Sequence, residues 1–192
     1  MNLLRRLRLS AFLAGLLLVF AGCSSPPPLR APRNPDGSAM TMFVLVKTGN
    51  HDDTPADTAA AREDITSYIA SDLSGRLGNY GWDAKVVKSA DEAPLEGSGV
   101  YLTSVDMTEF LPGNKDAVLA GRIAGGWGGG AARDAGSARV KIEYQVLQPG
   151  GSAATNGAAW HTDERGPRRC ATVVDGRAAT AITRNLANRH GQ

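Results

Sequence analysis

The sequence predicts an α+β fold, a single small domain in which two helices pack on a mixed, mostly antiparallel sheet. Three observations predict it. Residues 40–48 form a dense apolar run, residues 56–77 carry apolar side chains at helical spacing, and residues 139–145 alternate strictly between apolar and polar. The predicted order is β-α-β-β, a glycine-rich loop and β-β-α, and a chain of 192 residues is long enough to bury one core.

The first half of the domain predicts three strands and one helix. The run at 40–48 ends at Gly49-Asn50, which is typical turn sequence. Thr54-Pro55 supplies a cap and a first-turn proline for a helix over residues 56–77. Five apolar side chains at spacings of three and four line one face of that helix: Ile65, Tyr68, Ile69, Leu73 and Leu77. Residues 84–88 and 99–105 are short predicted strands.

The second half predicts a hairpin and a closing helix. Residues 139–145 and 153–161 are its two strands, joined by the turn sequence Pro149-Gly150-Gly151. We expect Asp175 to cap a last helix that runs to Arg189. The segment before it, residues 170–174, has the composition of a strand.

The chain begins with a pattern typical of a secretory signal. Arg5, Arg6 and Arg8 precede an uncharged apolar run at 9–21, which is shorter than the roughly 20 residues that cross a bilayer. The run ends in Phe20-Ala21-Gly22-Cys23, which resembles the lipobox of bacterial lipoproteins. That resemblance implies cleavage after residue 22 and acylation of Cys23. Ser24 stands where lipoproteins retained at the inner membrane carry Asp, which implies anchorage at the periplasmic face of the outer membrane.

Charge and cysteine content change when residues 1–22 are removed. The whole chain has 21 basic and 19 acidic side chains, but the signal takes away three arginines and leaves 18 basic against 19 acidic. No basic domain remains to neutralise nucleic-acid phosphates, so we expect no nucleic-acid partner. With Cys23 acylated, Cys170 is the only thiol and no intrachain disulfide can form.

Residues 23–38 are predicted to be the lipidated cysteine and a proline-rich tether, and residues 39–192 the periplasmic domain. Five prolines at positions 26, 27, 28, 32 and 35 favour an extended, semi-rigid chain. The lipobox and tether are followed by the strand–helix order, a return strand at 81–86, a short strand at 100–105 and a glycine-rich segment before an alternating strand. In this combination of features the chain resembles one family of bacterial lipoproteins of unknown function. Its domain is similar to the N-terminal domain of TolB and the periplasmic domain of CsgG. The resemblance implies scaffolding or assembly in the envelope and names no substrate.

The glycine-rich segment at 121–130 is the most unusual stretch of the chain. Its glycines at 121, 125 and 129 would let another backbone approach closely, and an aromatic residue at an exposed loop is a frequent interface anchor. The segment lacks the Gly-Lys-Ser/Thr ending of a phosphate-binding loop. It is either a connection between strands or a surface for partner binding or self-association. The candidate contact residues are Arg122, Gly125, Trp127 and Gly129.

The sequence gives less support to a catalytic or metal-binding site than to a partner-binding surface. His51-Asp52-Asp53 and His161-x-Asp163-Glu164 have metal-ligand chemistry without a second supporting cluster, and Arg165 to Arg169 form a small basic loop. Cys170 could act as a nucleophile only with a histidine, His161 or His190, as base. We therefore expect no catalytic residue, no metal and no cofactor, and a non-enzymatic lipoprotein that binds a partner. The alternatives are an envelope hydrolase or metal-dependent enzyme using Cys170 or the His51 cluster, and a periplasmic solute-binding module.

Overall fold

A computed structural model describes residues 28–47, 56–114 and 136–191 of the chain. The predicted element order and the α+β class are confirmed: two helices pack on a five-stranded mixed sheet. The elements, labelled here in chain order, are β1 (Thr41–Lys47), α1 (Ala56–Tyr80), β2 (Asp83–Val86), β3 (Val100–Leu111), β4 (Ala138–Leu147), β5 (Ala153–Asp163) and α2 (Pro167–Arg189), with a 3-10 turn at Ala90–Glu92.

The strands lie in the order β2-β1-β3-β4-β5. β1 pairs in parallel with β2 and with β3, whereas β3 with β4 and β4 with β5 form longer antiparallel pairs. The parallel pairs need connections that cross over the sheet, and α1 supplies the one between β1 and β2. The tight turn at residues 148–152 joins β4 to β5, with Gly151 donating to the carbonyl of Gln148 at 3.0 Å.

Both helices cover the same face of the sheet. The predicted apolar stripe of α1 is buried there, and it meets a second stripe on α2 at spacings of three and four residues. Each such side chain stabilises the fold by roughly 1.5 to 3 kcal/mol through its burial. The fully buried members are Met42, Val44, Ile65, Ile69, Leu73, Leu77, Val105, Met107, Val140, Ile142, Val146, Cys170, Val174, Ile182 and Leu186.

β3 runs six residues beyond its predicted end because a bulge lets it continue along β4. The register shifts between Met107 and Glu109, and the buried Arg62 of α1 donates a hydrogen bond to the Met107 carbonyl. A bulge frees backbone groups from the ladder, and a guanidinium with five donors can satisfy one of them.

The start of α2 differs from the prediction. The helix begins at Pro167, eight residues before the predicted cap Asp175, and residues 170–174 are helical instead of extended. Proline is well suited to the first helical position, and Gly166 precedes it with a φ of 105°. Cys170, Ala171 and Val174 then face the core, so tertiary packing overrides the strand propensity of two valines. Asp175 therefore lies in the helix interior, fully buried.

Residues 31–38, assigned to the tether by sequence, lie against the domain. Ala31 is buried and its N–H donates to the Tyr80 carbonyl at the end of α1, at 2.8 Å. Arg33 and Ala39 form an isolated bridge around a turn, in which Asn34 donates to the Ser38 carbonyl at 3.0 Å. The chain between Cys23 and the folded domain is thus shorter than the predicted tether.

The opposite face of the sheet is only partly covered. Residues 87–95 pack over it near β1 and β3, where Val87 and Ala93 bury Leu45 and Leu102. Within the described ranges, no helix covers the rest of this face. No helix in those ranges is long and apolar enough to span a bilayer.

Candidate functional surfaces

The predicted contact residues Arg122, Gly125, Trp127 and Gly129 lie outside the described residues, as do Cys23 and the His51 cluster. Their predicted roles therefore stay predictions. The structure does place the two ends of the segment between β3 and β4: Asn114 donates to the carbonyl of Gly136 at 2.8 Å. The residues that flank the glycine-rich segment, Asn114 and Gly136, thus lie together at the end of the β3–β4 pair.

The uncovered part of the second sheet face carries polar side chains in cross-strand rows. Lys47, Asp106 and Glu143 are in register across β1, β3 and β4, and Ser104, Gln145 and Asn156 form the next row. Together with Lys141, Ala158 and Trp160 we call these residues the open sheet face. A shallow concavity of about 540 Å³ lies over its first two rows.

Charges of both signs alternate on the open sheet face and at its rim. Lys141 forms an ion pair with Glu143 at 2.9 Å, and Arg139 forms one with Glu109 at 3.1 Å. These pairs are largely solvent-exposed, so each contributes at most about 1 kcal/mol to stability. In protein–protein interfaces generally, a mixed charge pattern of this kind selects partners with the complementary pattern.

Trp160 is the most exposed large apolar side chain among the described residues, with 59% of its surface accessible. It lies on β5 in register with Lys141, and Arg177 of α2 donates to its backbone carbonyl at 2.6 Å. Sequence reasoning selected Trp127 and overlooked Trp160. The sequence does contain the information needed to predict that Trp160 is exposed. In a strand over residues 153–161 successive side chains point to opposite faces, so residue 160 lies on the face opposite the buried Ala159.

The Cys170 thiol is placed as a core side chain. It is fully buried and donates to the Ala138 carbonyl at 3.3 Å. Burial, together with the charge of nearby Asp163, raises the pKa of the thiol, which disfavours the reactive thiolate. His190 lies at the other end of α2, about 30 Å along the helix axis, and its Nε2 contacts the Tyr101 hydroxyl at 2.8 Å. This arrangement gives no support to a Cys170–His190 dyad.

The His161-x-Asp163-Glu164 group is a salt-bridged turn. Arg165 donates to Asp163 from its backbone at 2.8 Å and from its guanidinium at 2.9 and 3.0 Å, and these hydrogen bonds lower the pKa of Asp163 to about 2. His161 Nε2 lies 3.6 Å from the same carboxylate. In the described part of the chain, no three His, Cys, Asp or Glu side chains are grouped to hold a metal ion.

A buried carboxyl group lies between the helices. Asp175 has no surface exposed and no hydrogen-bond donor among the described residues. Burial raises its pKa to about 9, the nearby Asp72 carboxylate adds to the rise, and Arg76 opposes it. At neutral pH Asp175 is therefore protonated, and its own O–H can then donate to Asp72. Arg76 in turn holds Asp72 through an ion pair of 2.6 Å.

No family model matches the sequence, and no curated protein matches it. Similar solved structures include the PelC dodecamer from Paraburkholderia phytofirmans, which is 14% identical over 78% of this chain and 91% of that chain, with a TM-score of 0.48. A variant of that dodecamer gives the same identity and TM-score over 79% and 93%. A neuraminyllactose-binding hemagglutinin homolog from Helicobacter pylori is 12% identical over 86% and 93%, with a TM-score of 0.38. We draw no functional conclusion from similarities of this size.

Proposed function

We propose that the protein is a non-enzymatic lipoprotein, anchored through Cys23 at the periplasmic face of the outer membrane, that binds a protein partner or another copy of itself. The observation that carries the binding proposal is the open sheet face with the exposed Trp160. A sheet usually buries both faces, or places polar side chains on the face that is exposed to solvent. A tryptophan in that position is instead the side chain most enriched among residues that dominate binding energy.

The surroundings of Trp160 have the make-up of an interface. The aromatic side chain is bordered by Lys141 and Glu143, and the concavity over Gln145 and Asn156 offers hydrogen-bonding groups. Interfaces combine an apolar anchor with a polar rim in this way. Truncation of such an anchor typically costs binding about 2 kcal/mol or more.

The strand ends that flank the predicted contact segment lie close to Trp160. Leu111, Arg139 and Thr162 form the row at that end of β3, β4 and β5, and Trp160 lies two residues before Thr162. Two residues along a strand correspond to about 7 Å. We therefore propose that the open sheet face and the predicted contact residue Trp127 serve one partner, because the ends of the chain that carries Trp127 are fixed near Trp160.

Site-specific photocrosslinking in cells tests this proposal. A photoreactive side chain at Ala158, on the open sheet face, is expected to give one discrete adduct, and a second probe at position 127 is expected to give the same adduct. The mass of the adduct separates a partner from a second copy. Trp160→Ala should abolish the adduct from position 158. The matched control Val86→Ala removes another half-exposed apolar side chain, at the far edge of the sheet, and should leave it unchanged. Equal adducts with and without Trp160 would overturn the assignment.

A further inference from the structure

The outer surface of the two helices carries a groove lined by four arginines. They are Arg76 on α1 and Arg169, Arg177 and Arg184 on α2, with Thr172 and Thr180 between them, around a volume of about 660 Å³. We call this the arginine groove. Residues 169, 173, 177, 180 and 184 recur at helical spacing, so one face of α2 presents the three cations in a line about 22 Å long.

The arginine groove keeps most of its positive charge. Among the residues that the structure describes, no acidic side chain lines it. Arg76 is neutralised by Asp72, and Arg177 donates to a neutral carbonyl, that of Trp160. Asp175, which lies beneath on the buried side of α2, is protonated at neutral pH because burial raises its pKa to about 9. The groove therefore carries about three positive charges on a chain whose mature net charge is −1 by sequence.

The neighbouring basic residues contrast with the groove. Arg165 is bound to Asp163, and Arg168 is bound to Asp64 at 3.0 Å and stacks over Tyr68. Arg169 and Arg184 form no ion pair with any described residue. A guanidinium group that forms no ion pair within the protein keeps its five hydrogen-bond donors for other partners. The aligned guanidinium groups of the groove are therefore available to an external anion.

The chain that leads to Cys23 enters the domain beside the arginine groove. Ala31 is bound through its N–H to the Tyr80 carbonyl, and the Tyr80 hydroxyl contacts Thr180 in the groove at 2.9 Å. Only seven residues lie between Cys23 and Ala31, and the eight steps from one to the other span at most about 28 Å when fully extended. An anchor on Cys23 would thus hold the groove within reach of the bilayer surface.

We propose that the arginine groove binds the anionic phospholipid headgroups of the bilayer that anchors Cys23. This inference rests on the lipid anchor in the proposed function. Guanidinium groups pair with phosphate through two parallel hydrogen bonds, and each basic side chain near an anionic surface adds to membrane affinity. With the helices against the membrane, the open sheet face points away from it, toward the compartment where a partner would be met.

The distance between the domain and the bilayer tests this inference in the lipidated full-length protein. A fluorescent donor is attached to the variant Asn188→Cys, at an exposed position on α2 outside the groove. Only this cysteine is labelled, because Cys170 is buried and Cys23 is acylated. The protein is reconstituted into vesicles that contain a lipid-linked acceptor, either in neutral phosphatidylcholine or with about a third phosphatidylglycerol. Energy transfer is expected to rise with phosphatidylglycerol and to fall back when salt is raised to about 0.5 M.

Two triple variants locate the effect. Arg169→Gln, Arg177→Gln and Arg184→Gln together should lose the rise in transfer. The control, Lys85→Gln, Lys88→Gln and Arg139→Gln, removes the same charge from solvent-accessible side chains outside the groove and should keep it. Circular dichroism and the unfolding midpoint establish that both variants fold.

Three results would overturn the inference: no rise with phosphatidylglycerol in the wild-type protein, a rise retained in the groove variant, or equal loss in both triple variants. Binding to a soluble polyanion such as polyphosphate without any response to phosphatidylglycerol would assign the groove to another ligand and also overturn it. Wild-type protein missing from the vesicle fraction would contradict the lipid anchor itself, and the inference with it.

Discussion

Asp175 of α2 and Asp72 of α1 are a pair of carboxyl groups at the interface of the two helices, and Asp175 is the neutral one at pH 7. Burial, and then the charge of Asp72, raises the pKa of Asp175 to about 9. In the unfolded chain an aspartate has a pKa of about 3.9. Between these two pKa values, the folded protein therefore keeps the proton on Asp175 while the unfolded chain has lost it.

The sign of the pH dependence follows from that difference. Between about pH 4 and about pH 9 the unfolded state binds fewer protons at this site, so the free energy of unfolding falls as pH rises. The stabilising contribution is complete below about pH 4 and is lost as pH passes through the folded pKa.

We predict that Asp175→Asn stabilises the protein at pH 7 by about 1 to 3 kcal/mol and has little effect at pH 4, because the amide needs no proton and can donate to Asp72. Urea unfolding of wild type and variant at the two pH values measures this. The matched control is Asp91→Asn, at an exposed position, which should show no such difference. A stabilisation that is equal at pH 4 and pH 7 would disprove the buried proton.

The hydrogen bond from Trp82 to Thr183 connects α2 to the second residue after the end of α1. Trp82 Nε1 donates to Thr183 Oγ1 at 3.1 Å and both side chains are buried. Thr183→Val removes the acceptor at nearly constant volume and leaves the indole N–H unpaired, so we predict a loss of about 1 to 3 kcal/mol of unfolding free energy. Thr180→Val removes the hydroxyl that pairs with the half-buried Tyr80 hydroxyl, and water can then reach the Tyr80 hydroxyl. Denaturant titration should rank the first loss above the second, and the reverse order would refute the assignment.

Gly157 and Gly75 should respond in opposite directions to replacement by alanine. A Cβ at Gly157 would overlap the hydroxyl and ring of Tyr144, whereas one at Gly75 in α1 meets nothing within 4 Å. Gly157→Ala should therefore destabilise by about 1 to 3 kcal/mol through overpacking. Gly75→Ala should stabilise by roughly 0.5 to 1 kcal/mol through helix propensity. Melting temperatures give the comparison, and a stable Gly157→Ala would show that β5 is not packed on Tyr144.

Cys170 should be unreactive in the folded protein. Its thiol is fully buried and its pKa is raised by burial and by the charge of Asp163. We predict that a thiol reagent labels it slowly at pH 7 and rapidly after denaturation, since reaction needs the exposed thiolate. The denatured sample is the control. Fast labelling of the native protein would revive the hydrolase alternative.

Sequence patterns were sufficient for the architecture. Helical spacing in α1 and alternation in β4 depend on which side chains face one core, and the structure buries Ile65, Leu73, Val140 and Ile142 as those patterns predict. The start of α2 was missed for a physical reason. Val173 and Val174 favour strands locally, and only the packing of Cys170 and Val174 against the sheet makes a helix favourable there.

The candidate surfaces were harder to predict, because they are formed by residues that only the packing of helices and strands brings together. Asp175 has the sequence character of a helix cap, and its burial beside Asp72 arises from the packing of α1 on α2. The arginine groove likewise combines Arg76 with three α2 arginines that are distant in sequence. The exposure of Trp160 could have been predicted from the alternating pattern of β5 alone. The roles of Trp127 and Cys23 remain predictions from the sequence.

The N-terminal mass of the protein recovered from membranes tests the central claim most directly. We predict a chain that begins at Cys23, with residues 1–22 removed and the mass increased by a diacylglyceryl group and an amide-linked acyl chain. Cys23→Ser should abolish both changes and release the protein from the membrane fraction. A mature chain with an unmodified Cys23, or one that begins elsewhere, would contradict the lipoprotein assignment.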